Sequence, residues 1–173
     1  RYLKLRQRIK LARVQNADLF VSLHADSAAS KSARGMSVFT LSETASDKEA
    51  AALALNENKA DLIGGPDLGV EDPEAANELF RMFQRESMNQ STHFAIKILQ
   101  EIRDMPGGVK RGHRFAGFAV LKAPDMPSVL VEMGFLSNRE DESNLKREPY
   151  RRKLAGRLTD AIVKYLEEFG PEI

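Results

Sequence analysis

The chain has 173 residues, a formal net charge of +1 and no cysteine; 42% of its residues are hydrophobic and 29% are charged. This length and composition predict one globular domain of ordinary size rather than a disordered chain. The near-neutral charge gives no indication of a nucleic-acid partner. No apolar run approaches the ~20 residues of a membrane span. Because the chain has no cysteine, any metal must be bound by His, Asp or Glu.

The N-terminal part of the chain predicts one helix followed by two strands. Residues 2–15 carry apolar side chains at helical spacing, with basic residues mostly outside that stripe. The nearly unbroken apolar run Leu19–Leu23 predicts a strand buried on both faces, as in a parallel sheet. Residues 35–41 predict a second strand of Val, Phe and Thr character.

A capping-box pattern precedes the next predicted helix. Ser46 to Glu49 reads Ser-Asp-Lys-Glu before a run rich in Ala and Leu, which predicts a helix from Asp47 to about Lys59. We expect Ala51, Ala54 and Leu55 to form the face by which this helix docks.

A longer helical pattern follows a loop. Gly64-Gly65-Pro66 ends the previous region, and residues 66–70 predict an exposed loop. Asp72 before Pro73 is a second helix-start signal. The pattern then continues to about Asp104, which is long for one globular helix, so we expect a break within 89–92.

The C-terminal part predicts two strands and two helices. Residues 116–121 and 128–133 predict strands, the second of them covered on both faces. Asn138 predicts the cap of a short acidic helix, and Pro149 the start of a last amphipathic helix ending near Gly170. Alternating helices and strands predict an α/β domain, a three-layer sandwich with a mostly parallel sheet flanked by helices.

Two of the predicted strands end in residues capable of catalytic chemistry, His24 and Glu132. Because the ends of parallel strands meet at one edge of a sheet, the two side chains could converge. Taken singly, each has a structural interpretation: a histidine at a strand end is often only hydrogen-bonded, and a glutamate there can cap a helix or pair with an arginine. Taken together, they favour a hydrolytic zinc site, where a metal lowers the pKa of water and a glutamate accepts its proton.

His93 and His113 are further candidates by residue type. His93 lies inside the long helical pattern and His113 in a basic stretch that predicts a loop. We interpret both as structural or surface residues.

Three segments resemble the zinc-dependent N-acetylmuramoyl-L-alanine amidases often called amidase 3. They are ADLFVSLHAD at 17–26, FAVLK at 118–122 and PSVLVEMGFLSN at 127–138, in this order. The resemblance covers nearly the whole chain and implies a peptidoglycan hydrolase that cuts the amide between N-acetylmuramic acid and L-alanine. It makes residues 1–173 an amidase catalytic domain, with His24 as the second zinc-binding histidine and Glu132 as the catalytic glutamate.

The chain departs from the family pattern at its start. In the family, a strand ending in Asp-Pro-Gly-His-Gly-Gly and a later helix supply a zinc histidine and a zinc glutamate, and residues 1–173 contain neither. The resemblance therefore implies that two zinc ligands lie upstream of Arg1. We expect residues 1–173 alone to be inactive, since one histidine cannot hold catalytic zinc tightly.

An insertion at about 43–90 is a second departure. Its segment 56–65, NENKADLIGG, resembles the insertion of the cell-division amidases of Gram-negative bacteria. That resemblance implies a periplasmic enzyme of cell separation, whose regulatory helix covers the active site until an activator with a LytM-type domain displaces it. Glu57 is the candidate for the inhibitory carboxylate, with Glu49 as the second choice; the alternative is a solvated glutamate on an amphipathic helix.

Other classes of function remain open to the sequence. A non-catalytic peptidoglycan-binding or divisome interaction module could keep the same fold. A zinc peptidase of unrelated fold lacks its His-Glu-x-x-His helix here. A glycosidase needs a second carboxylate opposite Glu132, and the sequence offers no obvious one.

Overall fold

The computed structural model describes residues 3–59 and 78–170. Within these ranges a short 3₁₀ helix, Ala119–Leu121, accompanies five α-helices and four strands. The α-helices and strands are, in chain order, α1 (Leu5–Val14), β1 (Phe20–His24), β2 (Met36–Leu41), α2 (Lys48–Lys59), α3 (Glu78–Ile102), β3 (Val109–Ala116), β4 (Ser128–Glu132), α4 (Arg139–Lys146) and α5 (Glu148–Phe169).

The strands form one open sheet in the order β1-β4-β2-β3. β1 runs parallel to β4 and β2 runs parallel to β3, whereas β2 and β4 are antiparallel. The prediction of an α/β domain with a mostly parallel sheet is confirmed, with the antiparallel pairing at the centre of the sheet.

The pleat of the central strands sends side chains into two apolar layers. Val38 of β2 with Val129 and Val131 of β4 pack in the cluster that contains α3 and α5. Phe39 and Leu130 pack on the opposite face, in the cluster that contains α1 and α2. Because successive side chains alternate between faces, helices cover both sides of the sheet and give a three-layer sandwich.

The predicted strand at 116–121 is wrong. β3 lies earlier, at Val109–Ala116, and ends where its partner β2 ends, with Ala116 opposite Leu41. Directly beyond Ala116 the chain has no strand partner among the described residues. Phe118 enters the core instead, and residues 119–121 form the 3₁₀ helix. The basic, glycine-containing sequence of β3 hid this strand, because edge strands need little apolar character.

The expected break in the long helix does not occur, since α3 is continuous through 89–92. Ser91 Oγ donates to the carbonyl of Ser87 at 2.7 Å, and Thr92 Oγ1 donates to that of Met88 at 3.1 Å. Ser91 Oγ also accepts the backbone N–H of Ser128 at 2.8 Å. The polar residues therefore satisfy themselves inside the helix and tie it to the start of β4.

Burial on both faces is confirmed for β4 but not for β1. Every residue of β4 is buried, whereas Leu23 of β1 is 55% exposed. Among the described residues β1 pairs only with β4, so it forms an edge of the sheet, and the apolar run alone could not reveal this.

α2 begins one residue later than predicted and docks by a different face. Asp47, rather than Ser46, caps it: Asp47 Oδ1 accepts the N–H groups of Glu49 and Ala50, each at 2.9 Å. The buried side chains of α2 are Ala50, Leu53 and Ala54. Of the expected docking residues only Ala54 is buried, since Leu55 is 56% exposed and Ala51 is also exposed.

The C-terminal helices follow the sequence signals. The Asn138 side chain accepts the N–H groups of Glu140 and Asp141 and so caps α4. Pro149 lies in the first turn of α5, and Gly170 follows its last residue.

Three predictions lie outside the described residues: the helix end at 64–66, the loop at 66–70 and the helix start at Asp72. No helix in the described part of the chain has the length and apolar character that a membrane span needs.

Candidate active site

His24 and Glu132 lie side by side at the ends of two neighbouring strands. They are register partners in the parallel pairing of β1 with β4. Glu132 follows Leu130 by two positions, and His24 follows Phe20 by four, so the pleat directs both towards the layer of α1 and α2. The sheet thus brings an imidazole and a carboxylate together across more than one hundred residues of sequence.

Glu132 is a fully buried carboxylate with only part of its hydrogen-bonding capacity used. Its side chain has 0% exposure, and Oε1 accepts the backbone N–H of Asp26 at 3.1 Å. Among the described residues, Oε2 has no hydrogen-bond partner. Burial, reinforced by the negative charge of Asp26, raises the pKa of Glu132 to about 8. An acceptor oxygen of this kind is suited to take up and return a proton.

His24 has a polar group within reach of each ring nitrogen. Nε2 lies 3.0 Å from Ser22 Oγ, and Nδ1 lies 3.5 Å from Asp26 Oδ1. Burial by itself would lower the pKa of His24, but the hydrogen bond to Asp26 and the negative charges of Glu57 and Asp26 outweigh it and raise the pKa. The surroundings of His24 therefore favour a positive charge at this position, whether a proton or a metal.

Glu57 extends from α2 to the same histidine. Its Oε1 lies 3.8 Å from His24 Nε2, and the two side chains are 13% and 11% exposed. Glu49 lies near the other end of α2, with Oε1 3.5 Å from Arg114 Nη1. Of the two candidate glutamates on α2, the structure therefore places Glu57 beside His24 and Glu49 beside β3.

The other two histidines lie elsewhere. The sequence predicted a loop around His113, but His113 lies on β3. Its Nε2 shares a hydrogen bond of 2.8 Å with Thr40 Oγ1. Two strands, β4 and β2, separate β3 from β1. His93 lies on α3, as predicted, and its ring packs 5.3 Å from that of Phe169.

The described part of the chain supplies only some of the groups that a catalytic zinc site needs. No cluster of three or more His, Asp or Glu side chains able to bind a metal occurs within residues 3–59 and 78–170. His24 fits the part of one imidazole ligand, with Asp26 placed to orient its ring, but these residues do not complete the set of three protein ligands.

Sequence reasoning assigned no role to Ser22 or Asp26. Ser22 faces the same way as His24 because it lies two residues earlier on β1, so strand periodicity could have identified it. Asp26 lies beyond the strand end, and its contacts with both His24 and Glu132 depend on how the loop turns.

The sequence of the chain is similar to those of known proteins. The family profile described as N-acetylmuramoyl-L-alanine amidase matches residues 1–164. The chain is 38% identical over 168 residues to N-acetylmuramoyl-L-alanine amidase AmiC of Escherichia coli O6:H1, covering 96% of this chain. It is 34% identical over 169 residues to N-acetylmuramoyl-L-alanine amidase AmiA of Escherichia coli K12, covering 97% of this chain.

A solved structure shares the fold. The N-acetylmuramoyl-L-alanine amidase from Clostridium difficile 630 superposes with a TM-score of 0.68 at 20% identity, covering 98% of this chain and 68% of that one. The curated relatives are longer, since the chain spans 40% of the AmiC sequence and 58% of the AmiA sequence.

Proposed function

The chain belongs to the N-acetylmuramoyl-L-alanine amidase family, and on this premise we propose that the full-length protein is a zinc-dependent peptidoglycan hydrolase. Its substrate is the amide between N-acetylmuramic acid and L-alanine. The observation that carries the proposal is the register of β1 and β4, which sets His24 beside Glu132. An imidazole ligand next to a carboxylate base is the arrangement that hydrolytic zinc sites use.

Glu132 is the proposed general base. The N–H of Asp26 fixes Oε1, which leaves Oε2 to accept a proton from the attacking water. The same oxygen can then donate that proton to the leaving amine, which departs as the free amino group of L-alanine.

His24 is the proposed zinc ligand. The remaining ligands are assigned to polypeptide upstream of Arg1, as the resemblance to the family implies. Zinc bound there would act as a Lewis acid on the substrate carbonyl and would lower the pKa of the water bound to it. Asp26 Oδ1, 3.5 Å from Nδ1, would accept the Nδ1–H and so leave the electron pair of Nε2, which lies 3.0 Å from Ser22 Oγ, for the metal.

We further propose that the segment at about 43–90 is a regulatory insertion and that Glu57 on α2 is its inhibitory carboxylate. In the conformation described, Glu57 lies on the side of His24 where a ligand of Nε2 would be. An activator with a LytM-type domain would stabilise an open conformation in which α2 has moved away. The proposed place of action is the periplasm, during cell separation.

The test uses Glu132→Gln in the full-length protein, with Glu148→Gln as the matched control because Glu148 is 69% exposed. The amide keeps the shape but loses the basicity, so release of peptides from purified sacculi should fall by ~10²–10⁴-fold while zinc content is unchanged. Near wild-type release by the Gln variant would remove Glu132 from the reaction. Binding of sacculi without cleavage by the wild type would instead indicate a non-catalytic binding module.

A further inference from the structure

α2 is attached to the sheet at its first turn. Arg114 on β3 is 3% exposed, and its Nε donates to Asp47 Oδ2 at 3.1 Å. The guanidinium also packs over the ring of Phe39, 5.1 Å from the centroid. The contact of Arg114 with Asp47 fixes the start of α2. The other end of this 12-residue helix lies about 18 Å away.

A second, independent attachment lies in the last turn. Asn58 Nδ2 donates to the carbonyl of Gly117 at 2.9 Å, and Asn58 Oδ1 accepts the N–H of Ala119 at 2.8 Å. Ala119 is the first residue of the 3₁₀ helix, so its N–H is one of those that need an acceptor from outside the helix. A primary amide matches this donor–acceptor pair with both of its ends.

The neighbour of Asn58 in the chain is Glu57, the residue beside His24. Between the two attachments, α2 buries only Ala50, Leu53 and Ala54. Leu53, the last large apolar anchor, precedes Glu57 by a full turn, and the last four carbonyl groups of any helix lack an intrahelical donor. The position of Glu57 therefore depends on the polar contacts of Asn58.

We propose that Asn58 is a positioning residue, which clamps the last turn of α2 to segment 117–119 and thereby holds Glu57 against His24. Only the expected effect of this clamp on activity rests on the proposed function. The clamp itself concerns the conformation of α2. Release of Asn58 frees the end of α2 that covers the site, while Arg114 keeps the start of the helix in place.

The first experiment compares backbone hydrogen exchange in the full-length wild type, Asn58→Ala and Asn56→Ala. Asn56 is exposed on the same helix, so it provides a matched control. We expect Asn58→Ala to speed exchange by about tenfold in two places, residues 53–59 and residues 117–121, because two hydrogen bonds are lost. Exchange in β4 should stay at the wild-type rate, which verifies the fold.

The second experiment measures basal release of peptides from sacculi without activator. Asn58→Ala should raise it by up to about tenfold, and the double variant Glu57→Ala/Asn58→Ala should be no more active than Glu57→Ala alone. A clamp that acts through Glu57 requires this lack of additivity, whereas general loosening of the fold does not.

The two experiments separate the clamp from the enzyme assignment. Exchange in 53–59 that is the same in Asn58→Ala and Asn56→Ala overturns the clamp, and so does full additivity of the two activating substitutions. If Glu57→Ala leaves basal activity unchanged, the inhibitory role of Glu57 fails, and the exchange data still decide whether Asn58 holds it in place.

Discussion

Glu132 lies opposite His24 in the parallel register of β1 and β4, and the Asp26 N–H joins the loop after β1 to the Glu132 carboxylate. A shift of either strand by one residue would turn one of the two side chains to the other face of the sheet. The carbonyl of His24 accepts the N–H of Met133 at 2.9 Å, which continues the pairing past the strand ends. The pairing of these two strands therefore sets the position of His24 relative to Glu132.

His24→Ala in the full-length protein should lower its zinc content after dialysis, because an imidazole ligand is lost. His93→Ala is the matched control, since His93 packs against Phe169 on α3. Metal analysis of both purified variants gives the stoichiometry. An unchanged zinc content in His24→Ala would exclude His24 from the metal site.

Glu57→Ala should raise basal amidase activity and weaken its dependence on an activator, because the carboxylate beside His24 is removed. Glu167→Ala, at an exposed position of α5, should leave both unchanged. Release of peptides from sacculi with and without activator measures the effect. Equal basal rates for Glu57→Ala and the wild type would contradict an inhibitory role.

Deletion of residues 46–63 should also raise basal activity. The deletion removes Asp47, so it should lower the melting temperature, because Arg114 then lacks that partner.

Arg114→Met should destabilise the fold, because Asp47 and Glu49 lose the cation that holds the start of α2 to β3. We expect a loss of ~1–3 kcal/mol, towards the lower end because the Asp47 side chain is 47% exposed. Arg103→Met is the control, since the Arg103 side chain is 72% exposed. Urea unfolding of both variants measures the difference; equal midpoints would show that the ion pair contributes nothing.

His113 should make the fold less stable in mild acid. Burial lowers the pKa of His113 below its ordinary value of 6.5, so the unfolded chain binds the proton more readily than the folded one. Its contribution is complete above pH 6.5 and is lost as the pH falls from 6.5 through the lower pKa of the folded state.

The matching experiment compares the wild type with His113→Gln, in which the amide can still bond to Thr40. The free energy of unfolding of the variant should fall less between pH 7.5 and about pH 5. His24, whose pKa is raised, acts in the opposite direction in both proteins, so the difference between them isolates His113. Parallel curves would contradict the expected contribution.

Local signals in the sequence located most elements and the two strand ends that carry His24 and Glu132. Apolar runs identified β4 and the strand before His24, and Asn138 and Pro149 marked the starts of the last two helices. Each of these signals depends on a few neighbouring residues, which is why it can be read without the fold. The resemblance of its segment, not the helical pattern, makes Glu57 the candidate for the inhibitory carboxylate.

Tertiary structure decided what depends on partners distant in the sequence. β3 was missed because its pairing with β2, not its own composition, makes it a strand. The predicted docking face of α2 was wrong because the side of a helix that faces inward is decided by the surface it packs against, here the cluster with Phe39 and Phe118. Asp26 and Asn58 became visible only once hydrogen bonds across the fold were known, since the direction of a polar side chain is determined by the partner it meets.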